Sequence, residues 1–166
     1  DGRPNRREFG LAPDLPADGA RSLLVFTAIS AAAMLAVGAA AGALAVPRDY
    51  GHWLLRQALP LALGQQILLQ VAIAPRVARL GFSGRTTPLI AAFLFALGHL
   101  PNPILFTLTF LAGWWWTRWF AIHRNLLPLW ASHVMLAATC FAAFDGGEWL
   151  RRMRVGAGWI YFFTNP

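Results

Sequence analysis

Between residues 50 and 144 this sequence contains no aspartate or glutamate. A water-facing domain surface carries charges of both signs. A helix surrounded by hydrocarbon needs none, and the polar groups it keeps face other helices, a cavity or a site. Those kept here are few. Three amides, Gln65, Gln66 and Gln70, lie within the apolar run 64–70, and two histidines, His99 and His133, follow in later apolar segments. The chain is 57% hydrophobic with a mean hydropathy of +0.50, above the roughly 45–50% of soluble domains even with glycine counted. The fold class this implies is all-α: a polytopic integral membrane bundle of about five transmembrane helices in one domain of 166 residues.

Charge is confined to tails and loops. The acids are Asp1, Glu8, Asp14, Asp18, Asp49, Asp145 and Glu148, and all 14 basic residues are arginine. The net charge of +7 reads as topology and contact with anionic headgroups rather than nucleic-acid binding, because the basic clusters lack interleaved base-stacking residues. Cys140 is alone in an apolar segment, so it has no internal disulfide partner and reads as a small buried hydrophobe. The first residue is Asp1 rather than Met, which leads us to expect a native start upstream.

Residues 1–21, rich in Pro, Asp and Arg, read as a flexible tail. Residues 22–46 form an apolar run too long for a signal-peptide core, hence the first span. Gly38 and Gly42 make a small-xxx-small pair suited to a close helix contact. Pro47 and Asp49 mark a turn. The second span covers about 51–80, with a kink expected at Pro60 and a weak point at Gly64. A short third helix over 86–99 is broken by Leu100-Pro101-Asn102-Pro103. Spans four and five cover 104–122 and 125–144. Trp114, Trp115, Trp116 and Trp119 suggest an aromatic belt at the headgroups, and His52 and His123 read as interfacial. Residues 145–166 form a basic, aromatic interfacial segment, in which 156–163 is too short to cross alone. Arg3, Arg6, Arg7 and Arg21 place the N-terminus in the cytoplasm, and the arginines over 76–85 with Arg118 and Arg124 fall on the same side. Arg151, Arg152 and Arg154 then fall outside, against the rule.

Gln66 and Gln70 are four apart and share a helix face, with Gln65 beside them; Phe95 and His99 are also four apart. His133 stands mid-span. Three helices thus each bring a polar group that hydrocarbon rejects unless it is paired. The arrangement resembles the CPBP family of intramembrane CAAX proteases and bacteriocin-processing enzymes. That family's pattern is Glu-Glu-x-x-x-Arg, then Phe-x-x-x-His, then His-x-x-x-Asn or a similar polar residue. The second motif stands intact as Phe95-Ala-Leu-Gly-His99. The third keeps His133 but has Ala137 in place of the polar residue. In the first, Gln65, Gln66 and Gln70 replace both glutamates and the arginine. Asn102 and the segment 124–129 also match the family's style.

The resemblance implies a hydrophilic site inside a bacterial inner membrane. In active relatives a glutamate takes a proton from water while histidines steady the oxyanion. Glutamine has no usable basic form near neutral pH, so losing both acids removes a general base worth about 10²–10⁴-fold. His99, His133, Gln65 and Gln66 are therefore the candidate catalytic positions of a degenerate centre, and Gln70, Phe95, Asn102 and Ala137 complete the motifs. The leading expectation is a non-catalytic scaffold or accessory subunit, with the lipid bilayer and another membrane protein as partners. The alternative is an active endopeptidase using His99 and His133. A carrier lacks evident repeats or a charged pathway. Catalytic zinc takes three protein ligands and only two candidates converge, so no metal is expected. No cofactor is expected, with a bound lipid or pigment as the open alternative. The histidines are expected to meet Gln66 only if the helix is broken near Pro101 within the membrane.

Overall fold

Prolines set the shape of the second helix. The computed structural model describes residue 10 and residues 15–45 and 50–144, the side chains of Trp53, Arg56 and Gln57 excepted. Helix α1 is Ala17–Ala40. Helix α2 is one continuous rod over residues 50–79 in which α-helix alternates with two π-helical segments, Leu54–Ala58 and Leu68–Ile73. Each π segment comes just before a proline, Pro60 and Pro75, that begins the next α-helical piece. A proline ring has no N–H to give and collides with the carbonyl four residues earlier. A wider turn relieves both problems without ending the helix. The disturbance expected at Pro60 takes this form and recurs at Pro75.

Helices α3 (Thr86–Leu97) and α4 (Pro103–His123) are separated by a turn containing a cis Leu100–Pro101 bond. This is the expected discontinuity. Asn102 is 1% exposed, and its Oδ1 accepts from the N–H groups of Ile104 and Leu105 at 3.0 and 3.1 Å. It therefore caps α4, satisfying donors that a helix start leaves open. Arg124, at φ 48°, closes the other end in the left-handed conformation. Helix α5 is Leu126–Phe144.

The architecture is an all-α membrane bundle. Ala17–Ala40, Leu59–Arg79 and Leu126–Phe144 are long and apolar enough to cross a membrane by length and composition. Helix α4 has 21 residues but is less apolar through its Trp, Thr and Arg content. Helix α3 is apolar but has only 12 residues. The five expected spans thus resolve into three full-length apolar helices and a broken pair. The largest interfaces are α3 on α4 and α1 on α5, and α2 lies between these pairs, touching α3, α4 and α5. Leu69, fully buried, centres the packing with Ala91 and Phe95; Leu129, also fully buried, centres the packing with Trp116, Trp119 and Phe120.

Three expectations are corrected. The first helix starts at Ala17 rather than Ser22 and ends at Ala40, with Gly42 at φ +64° in the turn that follows. Gly42 therefore makes no helix contact, while Gly38 does, against the backbone of Ala143. The tryptophans are not simply a belt. Trp116 and Trp119 are 2% and 4% exposed, and Trp119 Nε1 donates to the carbonyl of Gly19 at 3.0 Å. Hydrocarbon offers an indole N–H no acceptor, so a partner inside the bundle decides its direction. The N-terminal stretch is also not wholly free of the bundle. Gly10 is buried at φ +71°, and its carbonyl accepts from Leu126 N–H. Residues 1–9 and 11–14 of the expected tail, the turn at Pro47 and Asp49, and the segment 145–166 with its arginines lie outside the described residues.

A Cβ at Gly10 would lie 2.6 Å from Phe120 Cε2, in a conformation L residues avoid. Gly10→Ala should therefore lower the unfolding free energy by about 1–2 kcal/mol. Gly42→Ala meets nothing within 4 Å and should cost only the backbone part. Thermal unfolding of both variants in detergent measures the difference; equal losses would remove the Phe120 contact from the explanation.

Candidate functional site

The central position of α2 turns Gln66 toward α5 and buries Gln70 one turn further on. Both are 1% exposed, and His133 on α5 is 9% exposed. Gln66 Nε2 donates to His133 Nδ1 at 3.3 Å, and Gln70 Nε2 donates to Gln66 Oε1 at 3.3 Å. The bonds run in one direction, from Gln70 through Gln66 to the histidine. An imidazole that accepts on Nδ1 carries its proton on Nε2. Gln70 lies in the second π segment, a helix distortion often found at functional sites. Its Oε1 is buried without a hydrogen-bond partner.

Gln65 is half-buried and stays outside this network. Of three amides that looked equivalent, two therefore face the interior. His99 sits in the turn after α3, half-buried, with its ring edge-on to Phe95 at 5.3 Å. Its Nδ1 is buried without a partner. Ala137 is half-buried one turn beyond His133 and has no polar atom to contribute. Phe95 is core, Asn102 is the cap described above, and His99 stands in the break between α3 and α4.

A second polar cluster escaped the sequence reading. Trp116 packs against His133 at 4.7 Å between ring centroids. Its Nε1 donates to Ser132 Oγ at 3.2 Å, Ser132 Oγ lies 2.7 Å from Thr27 Oγ1, and Thr27 bonds the Leu23 carbonyl at 2.8 Å. With Thr27's one proton on Leu23, Ser132 must donate to Thr27 and accept from Trp116. Every proton in this chain finds an acceptor, and α1 is thereby linked to the wall beside His133. Thr27 gave no warning, because a helical threonine can satisfy its hydroxyl on its own backbone.

Hydrolysis needs a group that removes a proton from water. The inward positions here are amides and imidazoles, and Asp18, at the start of α1, is the sole carboxylate among the described residues. Among those residues, no three of His, Cys, Asp and Glu are grouped to hold a metal. Residues 23–139 match the family model described as type II CAAX prenyl endopeptidase Rce1-like. The chain belongs to the Rce1-like family. The matched range of this Rce1-like protein contains α2, α3 and α4, most of α1 and the part of α5 that carries His133 and Ala137. No curated protein and no solved structure gives a match. Rce1-like membership agrees with the CAAX-protease resemblance carried by Phe95, His99 and His133, and with the membrane-type helices.

Proposed function

We propose that this Rce1-like protein is a non-hydrolytic member of its family, acting as a scaffold or accessory subunit that binds another protein in a bacterial inner membrane, with its N-terminus in the cytoplasm. The observation that carries this reading is the hydrogen bond from Gln66 Nε2 to His133 Nδ1. A glutamate at this position would accept a proton; the glutamine instead donates one and occupies the ring's lone pair. Gln70 donates to the other side of the same amide, so neutral groups satisfy Gln66 where acid and base would otherwise be needed. Replacing Glu, Glu and Arg together by glutamine leaves no isolated charge in the bilayer, whereas losing one alone would.

The test is peptide cleavage by the full chain reconstituted in lipid, with prenylated CAAX peptides and leader-type peptides as substrates. Wild type should not cleave either above background. The Gln65→Glu/Gln66→Glu/Gln70→Arg variant should gain about 10²-fold or more, the usual worth of a restored general base. Purification in gentle detergent should yield a defined complex. A solitary monomer under all conditions counts against the accessory role.

A second reading, an active endopeptidase using His99 and His133, draws on the buried Nδ1 of His99, which has no hydrogen-bond partner. Such a nitrogen can accept a proton from water. Wild-type cleavage abolished by His99→Ala or His133→Ala would establish this reading and overturn the first.

A further inference from the structure

One end of the bundle collects arginines from four parts of the chain. Helices α3 and α4 are joined by a tight turn and pack side by side, so the start of α3 and the end of α4 lie at the same end. The Trp119–Gly19 hydrogen bond places the start of α1 there too, and α2 reaches it through the loop 80–85. Arg21, Arg76, Arg79, Arg85, Arg118 and Arg124 thus share this end, and all are exposed. Asp18 is the carboxylate beside them, the only one among the described residues.

The arginines alternate with exposed apolar side chains. Leu80 is 75% exposed and Phe82 45%, between Arg79 and Arg85; Ile122 is 76% exposed beside Arg124. Arg118 lies over the half-buried Trp114 ring, 5.4 Å from its centroid. A soluble acidic protein or a nucleic acid would answer the charge but leave Leu80, Phe82 and Ile122 in water. A membrane interface answers both, since guanidinium groups meet phosphates while apolar neighbours enter the acyl boundary.

We propose that this end is a binding surface for anionic phospholipid headgroups, with the loop 80–85 seated at headgroup depth. Leu80 and Phe82 enter the acyl boundary, and Arg79, Arg85, Arg118 and Arg124 bind lipid phosphates. The surface selects lipids by charge, because zwitterionic headgroups offset each phosphate with an ammonium.

The experiment uses the full chain in nanodiscs of equal phosphatidylglycerol and phosphatidylcholine, followed by native mass spectrometry of the lipids retained after gentle extraction. Wild type should retain phosphatidylglycerol preferentially, and added salt should reduce the preference. Each interfacial arginine is worth about fivefold, so Arg79→Gln/Arg85→Gln should lower the preference by about tenfold or more. Equal retention of the two lipids by wild type would overturn the proposal, as would a folded double variant with unchanged preference. Loss of bound phosphatidylglycerol to a soluble acidic peptide at equimolar concentration would also overturn it, in favour of a protein partner. Circular dichroism reports whether the variant folds; if it does not, the wild-type preference and its salt dependence decide.

Discussion

A methyl group at Gly38 is expected to force α1 away from α5. An ideal Cβ there would fall onto the carbonyl oxygen of Ala143, with the carbonyl carbon 2.9 Å away and Cα 3.0 Å away. These are helix backbone atoms, so no side-chain rotation can relieve the contact; the helices themselves must separate. Nearby, Ala45 N–H donates to the Ala142 carbonyl at 3.0 Å, and that bond would be strained by the same shift. Gly38→Ala should therefore cost about 3 kcal/mol, the upper part of the range for overpacking. Gly64→Ala is the contrasting case. Gly64 is exposed inside a helix with nothing within 4 Å of its would-be Cβ, and the change should stabilise by about 0.5–1 kcal/mol. Unfolding in a denaturing-detergent titration measures both. A loss at Gly38 no greater than a few tenths of a kcal/mol would mean that the two helices do not approach this closely.

Truncating Gln66 should have an effect of similar size by a different route. Gln66→Ala strands Gln70 Nε2 and the Nδ1 of His133, each now bonded at 3.3 Å, and leaves a cavity beside Leu69, which is fully buried. Unpartnered buried polar groups cost about 1–3 kcal/mol each, although polar pairs in bilayers average about 0.6 kcal/mol because the separated helices find other partners. A total of about 3 kcal/mol is expected once the cavity is included. Gln65→Ala should stay within about 0.5 kcal/mol, since its side chain is half-buried and outside the network. The ratio of the two effects is the test. Equal losses at 65 and 66 would remove the distinction between inward and sideways amides on which the reading of the site rests.

Much of this was legible beforehand because lipid leaves few options. A carboxylate-free stretch of 95 residues over 50–144 is readable as helix in hydrocarbon, and Pro101 with Pro103 marks the break between α3 and α4. The pairing of Gln66 with Gln70 follows from a four-residue spacing. What spacing cannot report is rotation about the helix axis relative to its neighbours. Gln65 and Gln66 are adjacent in sequence, yet one is half-buried and the other interior. The tryptophans misled for a related reason: an indole suits a headgroup layer and a bundle interior equally well, and Trp119 found the Gly19 carbonyl. Gly38 and Gly42 looked like one motif, but a helix ending at Ala40 made one a contact and the other a turn.

The sequence alone determined that this chain is a helical membrane protein of the CAAX-protease type, with three amides inside its second apolar segment. Hydrophobic length, proline positions and side-chain chemistry are local properties, written residue by residue. The tertiary structure decided which of those amides meets His133, that Thr27 and Trp116 flank the site, and that arginines from α1, α2, α3 and α4 share one end. Those are relations between segments far apart in the chain, and only the packing of one helix against another brings them within reach.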